Sequence, residues 1–190
     1  MTALLIDHDD SFTYNLRNWL SPLFENVTVI NHRDLSKVKS QILQKKFNLV
    51  VLSPGPKSPE DYPEVQNFLK EIPNTQAVLG ICLGLQSMVL SLGGKIASYS
   101  PPLHGKQSYL KIESESCREF ENLKVARYHS LFCQFEFADF ELLASAKDDN
   151  KPMWLAAKNK KWLGLQFHPE SFLTENADLY LSYLQKWMNQ

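Results

Sequence analysis

Short apolar runs alternate with helical stripes along the first two-thirds of the chain. Ala3–Ile6, Val27–Ile30, Leu49–Leu52 and Ala77–Ile81 are compact, largely apolar segments, the pattern of strands buried on both faces. Between the first two, Leu16, Trp19, Leu20 and Leu23 recur at the spacing of one face of a helix. Leu35, Val38 and Ile42 predict a second helix, with Asp34 or Ser36 as candidate N-caps. Val65, Phe68, Leu69 and Ile72 predict a third. Strands alternating with helices imply right-handed crossovers and a mostly parallel sheet with helices on both faces.

The middle and end of the chain change character. Ile96–Tyr99, Ser108–Ile112, Glu141–Ala146, Trp154–Ala157 and Leu163–Phe167 read as strands without long helices between them. They are expected to extend the sheet with antiparallel strands. A closing helix places Ala177, Leu181, Leu184 and Met188 on one face. With no repeat, low-complexity tract or linker, residues 1–190 read as a single open, twisted α/β domain.

Composition narrows the function classes. The chain has 190 residues, 44% hydrophobic and 22% charged, with a net charge of -1. That suffices for a real core and lacks the basic excess of a nucleic-acid surface. No apolar run reaches the ~20 residues needed to span a bilayer. The start of the chain has no basic segment before its apolar stretch, unlike a signal peptide. Cys82, Cys117 and Cys133 form no Cys-x-x-Cys pair, and the reading is a reduced, cytoplasmic protein. No His, Cys and carboxylate set has zinc spacing, and no phosphate-binding glycine loop occurs. Neither a metal nor a nucleotide cofactor is expected.

Ligands of open parallel sheets bind beyond the carboxyl ends of the strands, so chemistry is sought there. Gly80-Ile-Cys82-Leu-Gly84 joins a strand to a helix and fits a nucleophile elbow carrying cysteine in place of serine. The helix N-terminus would favour thiolate at Cys82, and the Leu83 N–H would face an oxyanion. The pentapeptide alone fits a buried cysteine in a tight turn equally well. His168-Pro-Glu170 supplies a base and a carboxylate to orient it. In extended chain, residues two apart face the same side. Ser53-Pro-Gly55-Pro is a stiff loop whose Gly55 N–H would be a second oxyanion donor. His129 reads as a structural or binding residue rather than a second base, and Cys117 and Cys133 as packing residues.

Together these segments resemble the class I, triad-type glutamine amidotransferases, whose fold is flavodoxin-like. The likeness runs nearly end to end. Asp7-His-Asp-Asp-Ser-Phe-Thr-Tyr-Asn-Leu16, Leu52-Ser-Pro-Gly-Pro56, Gly80-Ile-Cys-Leu-Gly-Leu-Gln86, His104-Gly-Lys106, Arg127-Tyr-His-Ser-Leu131 and Gln166-Phe-His-Pro-Glu-Ser171 carry it. The first and fifth are similar to the small subunits of anthranilate synthase and aminodeoxychorismate synthase. The resemblance implies Cys82, His168 and Glu170 as catalytic residues and Gly55 and Leu83 as the oxyanion hole. It implies Gly55, Pro56, Lys57, Gln86, Ser130 and Leu131 as the L-glutamine site. The partner it implies is a chorismate-binding large subunit, receiving ammonia to make anthranilate or 4-amino-4-deoxychorismate. Asp9–Tyr14 and His104–Gln107 are the expected contact surface.

Two positions depart from the family pattern. Lys57 stands where glycine is frequent, and a positive φ there would cost ~1–2 kcal/mol. His8 stands where asparagine is usual. Two other readings use the same residues: a stand-alone γ-glutamyl cysteine hydrolase, and a noncatalytic synthase-binding subunit. Gln86 and the Arg127–Leu131 segment argue against the first, and the complete set Cys82, His168 and Glu170 against the second.

Overall fold

The computed structural model describes residues 1–99, 102–135 and 138–190. In chain order it contains β1 (Thr2–Asp7), α1 (Thr13–Leu20), β2 (Asn26–Asn31), α2 (Leu35–Leu43), β3 (Leu49–Leu52), α3 (Pro63–Glu71), β4 (Val78–Ile81) and α4 (Leu83–Ser91). There follow β5 (Lys95–Ser98), β6 (Lys106–Ile112), β7 (Lys124–Arg127), β8 (Leu131–Gln134), β9 (Phe140–Ala146), β10 (Pro152–Ala157), β11 (Trp162–Leu165) and α5 (Ala177–Met188).

Nine strands form one sheet in the order β2-β1-β3-β4-β11-β10-β9-β6-β7. The first five are mutually parallel, in the flavodoxin-like order. From β11 onward the pairings through β10, β9, β6 and β7 are antiparallel.

Alternation along β1 explains the layers. Ala3 and Leu5 join Leu16 and Leu20 of α1 and Tyr180, Leu181 and Leu184 of α5 in one core. Leu4 and Ile6 join Leu35, Val38 and Ile42 of α2, Val65, Phe68 and Leu69 of α3, and Met88 of α4 in the other. A parallel strand sandwiched in this way has no polar face to show, which is why its sequence is a continuous apolar run. The helix α4 is buried from Leu83 to Val89, as a helix apolar all round must be.

The structure departs from the sequence expectations at several places. The helix α1 stops at Leu20, because Pro22 has no N–H to continue the ladder, so Leu23 lies beyond it. Neither Asp34 nor Ser36 caps α2 through its side chain. Instead a 3₁₀ turn, His32–Asp34, precedes it, and Asn31 accepts from the Arg33 N–H. The Ile96–Tyr99 segment does not extend the main sheet: β5 pairs with β8 in a separate antiparallel ribbon. The short strands β7 and β8 lie inside segments whose polar residues hid them. Finally β11 ends at Leu165 rather than at Phe167.

The β11 strand passes directly beneath α4. A Cβ placed on Gly164 would collide with the Leu85 side chain, whose Cβ and Cγ lie 3.1 Å away. Leu85 is fully buried and has no room to yield. Gly164→Ala is therefore expected to destabilise the protein by ~1–3 kcal/mol, the usual cost of overpacking. Urea unfolding checks it, and an unchanged midpoint would show that α4 can shift freely.

Candidate active site

The carboxyl ends of β1, β3, β4 and β11 converge at one edge of the sheet, since these strands are parallel neighbours. Cys82 occupies the turn between β4 and α4 with φ 51 and ψ -103. Such a backbone conformation costs on the order of 1–3 kcal/mol for a residue with a side chain. Its N–H is held by the Leu165 carbonyl at 2.7 Å, and its carbonyl accepts from Gln86 N–H at 3.1 Å. The turn is possible because the strand and helix almost touch. A Cβ on Gly80 would stand 2.6 Å from the Gly84 carbonyl carbon, and one on Gly84 would collide with Leu52 of β3.

The Gln86-to-Cys82 bond is the first of the α4 ladder. The Leu83 N–H thus belongs to the helix's first turn, which has no intrahelical acceptor. Gly55 packs against the same point: a Cβ there would lie 2.6 Å from Leu83 Cδ2 and 2.6 Å from His8 Cβ. The two residues of the expected oxyanion site are therefore packed together and line one cavity.

His168 and Glu170 meet, though not by the extended geometry expected. The chain turns after Leu165, and Ser171 N–H returns to the His168 carbonyl. Across that turn His168 Nδ1 lies 2.7 Å from Glu170 Oε1, with both side chains buried. Thr174 Oγ1 donates to the His168 carbonyl at 2.6 Å and accepts from the Ala126 N–H, tying the turn to β7. Tyr128 and Phe12 pack edge-on against the imidazole, with centroids at 5.1 and 5.6 Å. Burial disfavours charging the ring. The Glu170 carboxylate and the Cys82 sulfur outweigh it and push the His168 pKa well above its ordinary value. Nε2, the nitrogen left for chemistry, has no hydrogen-bond partner among the described residues.

A cavity of about 150 Å³ is lined by Gly55, Pro56, Lys57, Cys82, Leu83, Gln86, Tyr128, His129, Ser130 and Leu131. Every expected oxyanion and glutamine-site residue is on that wall, together with the expected nucleophile. A larger cavity, about 810 Å³, lies elsewhere, beside Arg118, Glu141 and Trp187. Its lining residues include neither a cysteine nor a histidine. Among the described residues no group of His, Cys, Asp or Glu could hold a metal ion.

His129 is not a spare base. Burial, and then the Arg127 charge, lower its pKa to about 4. Its Nε2 accepts from Arg127 Nε at 3.1 Å, so Nδ1 carries the proton and donates to the Leu131 carbonyl at 2.8 Å. Arg127 is fully buried, paired with Asp149 at 2.8 Å and with Ser108 Oγ at 3.0 Å. It pins the ribbon carrying Ser130 and Leu131. Arg127 and Gln166 stand within the sequence motifs, but their spacing assigned neither a task. A buried arginine in an otherwise apolar strand end was the available signal.

The described geometry agrees with three comparisons. A family model described as "Glutamine amidotransferase class-I" matches residues 4–184. The chain belongs to the class I glutamine amidotransferase family. It is 37% identical over 190 residues to "Anthranilate synthase component 2, pyocyanine specific" of Pseudomonas aeruginosa, covering 98% of this chain and 94% of that protein. It is 38% identical over 192 residues to "Anthranilate synthase component 2" of Cyanophora paradoxa, covering 98% and 97%. Among solved structures, a glutamine amidotransferase of Thermotoga maritima superposes with a TM-score of 0.72 at 18% identity, covering 100% of this chain and 99% of that one. At that identity the likeness concerns the fold.

The two departures from the family pattern have local consequences. Lys57 has φ 65, the left-handed region where a side chain costs ~1–2 kcal/mol. Lys57→Gly is expected to stabilise the protein by roughly 0.5–1 kcal/mol, after subtracting glycine's greater unfolded-state freedom. Equal stability by chemical denaturation would mean that the lysine's contacts offset its strain.

His8 is fully buried under the Gly55 loop. Its N–H donates to Ser53 Oγ at 2.9 Å, its Nδ1 lies 3.1 Å from that same oxygen, and its ring stacks on His32 at 6.0 Å. Burial, then the His32 charge, lower its pKa from 6.5 to about 4, against the smaller opposing effects of Asp7, Ser53 and Glu64. Between those values the unfolded chain binds a proton that the folded chain refuses. Stability therefore falls as pH drops through this window, by up to ~1.4 kcal/mol per pH unit for each such histidine. His8→Asn should make that fall shallower, leaving the share due to His129. Denaturation series near pH 7, 6 and 5 read the slope, and an unaltered slope would show that His8 is not responsible.

Proposed function

We propose that this protein hydrolyses L-glutamine through a glutamyl thioester on Cys82 and hands the ammonia to a chorismate-binding subunit that makes anthranilate. The observation that carries the reading is the His168–Glu170 pair at 2.7 Å beside the strained Cys82 at a helix N-terminus. The names of the Pseudomonas and Cyanophora relatives support the destination, since a second component implies a first.

Each step follows from a group already in position. The Cys82 thiolate attacks the side-chain amide carbon of glutamine, and the carbonyl electrons move to oxygen. The N–H groups of Gly55 and Leu83 stabilise that oxyanion, an effect worth ~10²–10³ in rate per donor. His168, whose raised pKa keeps a proton available, protonates the departing nitrogen at Nε2. The C–N bond breaks, ammonia leaves, and the acyl group stays on sulfur. Water then attacks the thioester, His168 takes its proton, and glutamate departs as the thiol re-forms. Glu170 keeps the imidazole proton on Nδ1 and balances the imidazolium charge. Pro56, Lys57, Gln86, Ser130 and Leu131 hold the glutamine.

Ammonia must reach its acceptor unprotonated, which requires a partner seated over the site. Tyr14 is 65% and Phe172 90% exposed, large apolar side chains that a partner would cover. Gln107 Nε2 donates to the Leu173 carbonyl at 2.6 Å, joining the His104–Gln107 segment to the Phe172 loop. Phe12 of the other expected segment packs on His168, which supports both segments as neighbours of the site. Aminodeoxychorismate is the alternative product, because both acceptors present the same ammonia-requiring chorismate chemistry.

Reconstitution with a chorismate-binding subunit tests the assignment. Cys82→Ser should abolish anthranilate formation from chorismate and glutamine while leaving ammonia-dependent formation intact. Retained glutamine use would overturn the nucleophile. Formation of aminodeoxychorismate instead would redirect the product.

A further inference from the structure

A line of buried carboxamides leads from the Leu131 carbonyl to the Cys82 sulfur. Gln86 Nε2 lies 3.2 Å from the Leu131 carbonyl and 3.2 Å from Gln166 Oε1. Gln166 Nε2 lies 3.5 Å from Cys82 Sγ. Gln86 is 2% exposed and Gln166 0%. The Gln166 backbone is anchored as well, its N–H donating to the Met153 carbonyl at 2.9 Å.

The orientation of each amide is forced by chemistry. A backbone carbonyl only accepts, so Gln86 must present its NH₂ group to Leu131. That same NH₂ group has a second hydrogen, which requires an acceptor and therefore the oxygen of Gln166. With its oxygen committed, Gln166 has only its NH₂ end to turn toward Cys82. A flipped Gln166 would set two NH₂ groups against each other in a site without solvent, leaving buried donors unsatisfied. His129 adds to the constraint, because its Nδ1–H occupies the same Leu131 carbonyl from another side.

We propose that Gln166 is a positioning residue of the nucleophile: its Nε2–H, oriented by Gln86, holds the Cys82 sulfur and stabilises its thiolate form. This deepens the glutaminase reading and rests on it for its chemical use. An N–H donor favours a thiolate over a thiol, since the anion is the better acceptor. The contact also opposes rotation of the sulfur away from Gln166. The arrangement gives the sulfur a neutral donor in addition to the imidazolium. That donor persists after His168 has passed its proton to the leaving amine.

Alkylation of the intact protein by iodoacetamide tests the proposal, with Cys82 modification followed by peptide mass spectrometry. Gln166→Met is expected to slow modification about tenfold near pH 7, since the thiolate is the reacting form. At about pH 10, above the ordinary ionisation range of a thiol, the rate should return to within about twofold of the unsubstituted protein. Gln166→Glu, which keeps both bonds from Gln86 but offers the sulfur a carboxylate, should slow the low-pH reaction at least as much. With the partner subunit, both should lower kcat for glutamine more than they raise KM. An unchanged rate in Gln166→Met overturns the proposal, as does slowing that is equal at both pH values, which would indicate lost access. Should Gln166→Met fail to fold, Gln86→Met removes the group that orients Gln166, and an unchanged rate there overturns it equally. Gln166-dependent alkylation in a protein that releases no glutamate would instead sink the glutaminase reading and leave the positioning role intact.

Discussion

The near-contact of β4 and α4 is the constraint from which the site follows. A cysteine at φ 51 and ψ -103 is unfavourable on its own, and nothing local to the turn repays it. What holds it is tertiary: an apolar helix pressed onto β3, β4 and β11, through positions where glycine leaves no Cβ in the way. Gly80 and Gly84 allow the turn, and Gly164 admits Leu85 beneath it. Because α4 is buried all round, it cannot slide to relax Cys82. The strain is maintained by the core, and the sulfur is consequently fixed at the helix N-terminus.

A second layer of order is polar and equally buried. Arg127 is a donor-only residue without access to solvent, so every acceptor around it is committed. It fixes which nitrogen of His129 carries the proton, and that proton fixes the Leu131 carbonyl. The same carbonyl sets Gln86, and Gln86 sets Gln166. A half-satisfied network of this kind would be worse than an apolar one, while a satisfied network specifies a single arrangement. Its outer end lies at Asp149, where Tyr99 and Arg127 share one carboxylate oxygen.

The sequence announced the parallel half of the fold and the residues at its strand ends, because burial on both faces leaves continuous apolar runs. It said less about the antiparallel half. Lys124–Arg127 and Leu131–Gln134 are four-residue strands with charged or polar ends, too short for a period to show. The motif residues gathered where strand-end reasoning put them, but the route was misjudged at His168. An extended strand would also bring Glu170 to the ring; the protein uses a turn, held by Thr174. Nothing in the spacing distinguishes these solutions, since both satisfy the same pair. Gln166 was hidden for a different reason. A carboxamide has no titratable signature, and its orientation is set by residues 45 and 80 positions apart in contact with Gln86.

His8 and Lys57 show how a site absorbs departures from its family pattern. Lys57 lines the cavity, and His8 packs beneath Gly55 of the same loop. Lys57 adopts the left-handed backbone that a glycine would take there, so the loop path is kept and the cost appears as strain. His8 keeps its Ser53 bonds and forms a stacked pair with His32, itself held between Asp9 and Glu64. That pair fills space under Gly55, and burial there keeps the His8 ring neutral. The path of the Gly55 loop is thereby retained, and what changes is the dependence of stability on pH. A residue can thus be replaced in a loop that lines the cavity when the backbone path survives, provided that the new side chain's cost falls on stability rather than on the cavity's geometry.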